Sequence, residues 1–79
     1  MEKQEIEVKV NEALAQEFEI EVSTISPNGD IKETLDLDSL SLVDMVALLE
    51  SLFGVEIKLQ DISSIKTFNN LYDFIDDRL

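Results

Sequence analysis

Hydroxyls, carboxylates and a few lysines are the reactive side chains of this 79-residue sequence, which has neither histidine nor cysteine. Without those two types there is no disulfide, no zinc site of ordinary composition and no Ser–His–Asp or Cys–His nucleophile. No catalytic residue is therefore assigned, and acids and serines alone leave no nucleophile–base pair. Asp30, Asp36 and Asp38 lie close together, but Asp36-Leu37-Asp38 lacks the glycine and terminal glutamate of an EF-hand loop, so no metal ligands are assigned either. The hydroxyl with a chemical use is Ser39. It stands beside Asp38 where a helix must begin, and two readings stay open on the residues alone. Ser39 can be the N-cap. Alternatively, it can present an exposed hydroxyl whose phosphate ester would sit among free backbone N–H groups at the positive end of the helix dipole, with Asp36 and Asp38 competing for that end. The chain supplies no general base and no Gly-rich phosphate cradle, so such an ester would have to be built by another enzyme.

The element that positions Ser39 is the clearest in the chain. From Ser39 to Phe53 there is no breaker, and Leu42, Met45, Val46, Leu49 and Phe53 recur on one helical face. Asp38 or Ser39 caps this helix and Gly54 stops it. In the first segment Ile6, Val10, Leu14 and Phe18 recur every four residues, predicting a helix over about residues 2–18. Two pieces of it, Ile6 to Val10 and Phe18 to Val22, also alternate as strands do, but Asn11 to Gln16 is a poor strand and joins them. Thr67 caps a last helix carrying Phe68, Leu71, Tyr72 and Ile75, with Arg78 near its end. A short helical turn fits around Asp61 to Ser64. Residues 20–37 form a long connection with a turn at Ser26-Pro27-Asn28-Gly29-Asp30, and Ile20, Val22, Ile25, Ile31, Leu35 and Leu37 predict that it packs down. The expected fold is all-α, a small bundle of three main helices and one short one, with a long loop between the first and second. Residues 1–79 read as one domain without repeats, linkers or a targeting segment, placed in a reducing cytoplasm; the densest apolar run, Met45 to Leu49, is far too short to span a membrane.

Charge narrows the partners. Eighteen acids against 6 basic residues leave a net charge of −12. Such a chain repels polyanions, which excludes nucleic acid and favours basic protein surfaces. Between Lys32 and Lys58 every charge is negative, and on a helical wheel Leu40, Val43, Asp44, Ala47, Glu50 and Ser51 fall opposite the apolar stripe. Acids there would steer a basic partner while the aliphatic groups supply contact area.

Taken in register, Asp38-Ser39-Leu40, the run Leu42 to Glu50 and Phe53-Gly54-Val55-Glu56-Ile57 resemble the signature of the acyl carrier protein family. The likeness extends to Pro27-Asn28-Gly29 and to Ile65-Lys66-Thr67-Phe68 through Ile75, covering nearly the whole chain. The resemblance implies that Ser39 corresponds to the serine modified by a phosphopantetheinyl transferase. Coenzyme A would donate a covalent 4′-phosphopantetheine arm. Acyl groups would ride on the arm's thiol as thioesters, passed among ligases, ketosynthases and acyltransferases of fatty acid, lipid or polyketide-type biosynthesis. It further implies a monomeric carrier, itself no enzyme, that meets partners through Asp38, Leu40, Val43, Asp44, Ala47 and Glu50. Ser41 and Ser51 stand where acids are common in that family, and Lys58-Leu59-Gln60-Asp61 replaces a proline followed by acids, which suggests a specialised pathway. The alternative is an unmodified acidic helical module that binds proteins and uses Ser39 only as a cap.

Overall fold

The computed structural model describes residues 2–79 and, apart from Leu59, their side chains; Met1 lies outside. Among these residues the chain forms α1 (Lys3–Phe18), a 3₁₀ turn (Val22–Thr24), α2 (Ile31–Leu35), α3 (Ser39–Phe53), α4 (Leu59–Ile62) and α5 (Phe68–Arg78), with no strand. The three long helices are where the periodicity predicts them.

Each begins or ends for a local reason. Thr67 caps α5 by accepting from the Asn70 N–H at 3.1 Å, while the Asn70 amide oxygen accepts in return from the Thr67 N–H at 3.2 Å. Gly54 ends α3 at φ 67°, a left-handed conformation that costs glycine nothing. Glu19 ends α1 and Asp36 ends α2 in the same conformation, at φ 54° and 52°, although both carry a Cβ.

Ile6, Val10 and Leu14 of α1 pack against Phe68, Leu71, Tyr72 and Ile75 of α5, and Met45 and Leu49 of α3 join that core, with Val55 and Ile57 after α3 and Ile25, Ile31 and Leu35 of the long connection. Phe18, Leu42, Val46 and Phe53, expected on the inner faces, are half-buried at its margin. The Tyr72 ring is fully buried, and its hydroxyl donates to the Asn11 side chain across the α1–α5 contact.

The connection 20–37 is more ordered than expected. Its turn forms as predicted, with the Gly29 N–H donating to the Ser26 carbonyl at 2.9 Å around Pro27. The carbonyls of Pro27 and Gly29 then accept from the Asn69 and Phe68 N–H groups, which have no partner within α5. In the other direction the Ile31 N–H donates to the Lys66 carbonyl at 2.9 Å. The second half of the loop is a short helix, α2, capped by Asp30 through the Glu33 N–H at 2.9 Å, which buries Ile31 and Leu35. Ile25 is buried as predicted, Ile20 and Leu37 half-buried, and Val22 exposed. The short turn expected around Asp61 to Ser64 begins two residues earlier, because Asp61 reaches back to the Lys58 N–H at 3.0 Å instead of opening the helix. Arg78 closes the end of α5 over the Phe74 ring, 4.6 Å from its centroid, and lies 3.6 Å from the Asp61 carboxylate.

Candidate functional site

At the start of α3 the two candidate caps divide their roles. Asp38 is extended (φ −102°, ψ −172°), and its carboxylate accepts from the Ser41 N–H at 2.8 Å. The short acidic side chain reaches the third residue on, as an N-cap does. That hydrogen bond holds the Asp38 carboxyl below its ordinary range. The reading of Ser39 as the cap is thus overturned: Ser39 is the first residue inside the helix, exposed and free of the capping duty. Asp38, anionic and engaged with backbone, is a poor base for it.

The outer face of α3 presents Leu40 and Val43 at 77% and 58% exposure beside exposed Asp44 and Ala47. These four share one side of the helix over about 10 Å of rise. Glu50 departs from the group. It is half-buried, and its carboxylate accepts from the Ile57 N–H at 2.9 Å, fastening the segment after α3. Of the six residues assigned to partner contact, Asp38 and Glu50 therefore hold backbone, while Leu40, Val43, Asp44 and Ala47 are free. The nearby acids form no cation cage: Asp30 and Asp38 cap different helices, and no metal-binding group occurs among the described residues.

A hollow of about 240 Å³ opens beside Ser39, lined by Lys32, Leu37, Asp38, Ser39 and Leu42. A second, of about 470 Å³, lies between α2, α3 and the stretch from the end of α4 to Lys66; it shares Lys32 and Leu42 and adds Asp30, Ile62, Ser63, Ile65 and Lys66. Beneath it an apolar cleft admits only about 20 Å³ between Met45, Val46, Leu49, Ile57 and Leu71. The surroundings of Ser39 thus suit a phosphate ester with an extended polar tail: an accessible hydroxyl, room alongside, and one ammonium at the rim. Lys32 and the rim position of Leu42 were not assigned from sequence. The sequence carries part of the signal: Asp30 three residues before Glu33, with Ile31 and Leu35 four apart, marks a capped helical turn, but nothing in it places Lys32 beside α3.

A sequence model described as "Phosphopantetheine attachment site" matches residues 8–75. The chain is similar to the acyl carrier protein of Syntrophobacter fumaroxidans, at 31% identity over 89% of this chain and 86% of that protein. It is also similar to the acyl carrier proteins of Rubrobacter xylanophilus, at 32% identity over 95% and 93%, and of Thermosynechococcus vestitus, at 32% over 100% and 98%. With a family match over most of its length, and relatives aligned almost end to end, this chain belongs to the acyl carrier protein family.

Proposed function

We propose that Ser39 is the residue that carries 4′-phosphopantetheine, and that the chain delivers acyl groups on that arm to enzymes docking on the outer face of α3. The observation that carries this reading is the division of labour at the helix start, where Asp38 caps α3 and Ser39 stays exposed beside an open hollow. During modification the Ser39 Oγ forms the new bond to phosphorus as the bond to the adenosine bisphosphate leaving group breaks. The hydroxyl proton passes to a base on the transferase, because this chain offers none. Once attached, the group supplies a thiol that holds acyl chains as thioesters, chemistry that calls for a reducing compartment. The residues of the carrier bind, present and orient; catalysis belongs to the partners.

Leu40, Val43 and Ala47 offer a small apolar contact, and Asp44 is the free acid that steers a basic patch toward it. α4 carries a single acid, Asp61, already engaged with the Lys58 N–H and near Arg78, which supports a dedicated enzyme set rather than one that reads an acidic α4.

Intact mass tests the attachment. After incubation with a broad-specificity phosphopantetheinyl transferase and coenzyme A, the wild type gains one arm and Ser39→Ala gains none; identical masses refute the reading. Asp44→Lys tests the docking face, and it is the cleaner choice because Glu50→Lys would also unfasten Ile57. It slows modification by up to about fivefold at low salt, the scale of one exposed ion pair, with an unchanged helical CD spectrum. An unaltered rate removes Asp44 from the interface.

A further inference from the structure

We infer that Lys32 is a positioning residue for the prosthetic phosphate, drawing the arm back from the tip of α3 across Leu42 rather than leaving it free in solvent. This rests on the reading of Ser39 as the attachment point.

Three observations meet at this side chain. Lys32 lines the hollow that holds Ser39, the larger hollow behind it and the apolar cleft beneath, and Leu42 is the other residue common to all three. Its charge is also uncommitted. Lys3 pairs with Asp73 at 2.7 Å and Arg78 lies 3.6 Å from Asp61, whereas among the described residues no carboxylate stands within 4.0 Å of the Lys32 ammonium. Two nearby acids are turned to backbone, Asp30 accepting from the Glu33 N–H and Asp38 from the Ser41 N–H, and the side chains of Glu33 and Asp36, its other close neighbours in the chain, lie beyond 4.0 Å of the ammonium. Finally, Lys32 is the sole cation lining the hollow of Ser39, and the rest of that lining is Leu37, Asp38 and Leu42. A phosphodiester on the Ser39 Oγ brings a fixed negative charge next to the Asp38 carboxylate. The ammonium of Lys32 is the group that offsets that repulsion, and it does so from the groove side. A charge contact there shortens the arm's search to the volume over Leu42, Ile62 and Ile65, and leaves the partner-facing side of α3 uncovered.

The test uses the modified protein, with the mass gain verified first. In wild type, addition of the arm shifts the NMR signal of the Lys32 ε-methylene. About 1 M salt, which shortens electrostatic screening to about 3 Å, reverses that shift. The phosphorus resonance of the arm moves to its high-salt position in Lys32→Gln, stays at the wild-type position in Lys32→Arg, and is unmoved in Lys66→Gln, a control that lines the second hollow but not that of Ser39. A protein that gains the arm while Lys32 and the phosphorus resonance ignore salt and substitution overturns this inference alone. A protein that never gains the arm overturns the attachment reading as well.

Discussion

A serine at the start of a helix is normally needed there, because the first N–H groups of the helix seek an acceptor and a hydroxyl supplies one. Here the preceding Asp38 meets that need, so the Ser39 hydroxyl is free to be modified without loss of the cap. The arrangement makes the stability of α3 depend on the ionisation of Asp38. Its folded-state pKa is depressed below the ordinary value of 3.8, so its contribution is present above about pH 4 and is lost as pH falls through the lower folded value. Asp38→Ala should accordingly melt below wild type near neutral pH, with the gap closing in acid. Thermal unfolding followed by CD at about pH 7 and pH 3 checks this, with Asp44→Ala as the control for loss of a charge. A gap of constant size would show that Asp38 acts through something other than its charge-assisted hydrogen bond.

Among the elements, the short ones do the positioning. α2 has only five residues, yet it anchors Ile31 and Leu35 in the core and so fixes Lys32 and the loop on one side of Ser39. Glu50 acts at the opposite end of the helix, tying the exit of α3 to Ile57. The joints between elements are less well matched, since α1 turns off at Glu19 in a conformation that suits glycine. A Cβ there costs about 1–2 kcal/mol, and glycine returns about 0.4–1 kcal/mol of that through the entropy of the unfolded chain. Glu19→Gly should therefore stabilise the fold by up to about 1.6 kcal/mol. Glu19→Gln, which removes the charge and keeps the Cβ, should recover little of the gain. Urea unfolding midpoints of the two variants decide between backbone strain and charge repulsion as the cause.

For the molecule as a whole, repulsion is set by size as much as by charge. The fold measures 26 × 25 × 21 Å and carries −12. At about 10 mM salt the screening length is about 30 Å, so each acid feels every other; at about 150 mM it is about 8 Å, and only neighbours count. Raising sodium chloride across that range should lift the melting temperature by about 5 °C, a stabilisation of roughly 1 kcal/mol for a domain of this length. Magnesium at matched ionic strength tests for anything beyond screening. A large extra effect of magnesium would mean that acids draw together around the ion, since no group among the described residues is arranged to hold one.

Taken alone, the sequence determined the three long helices, their inner faces, the Pro27–Gly29 turn and the family, because each rests on contacts between residues close in the chain or on a motif held in register. Periodicity placed Ile6, Val10 and Leu14 in α1 and Leu71 and Ile75 in α5, and all five are buried. Only the tertiary structure decided which of Asp38 and Ser39 caps α3, since both types can cap and the choice depends on how the chain enters the helix. It also turned Glu50 inward to a backbone N–H seven residues on, and it folded α2, whose five residues are too few to hold a helix without the core that receives Ile31 and Leu35. Lys32 belongs beside Ser39 for the same reason: seven positions of chain separate them, and only the packing of α2 against α3 brings their side chains to the rim of one hollow.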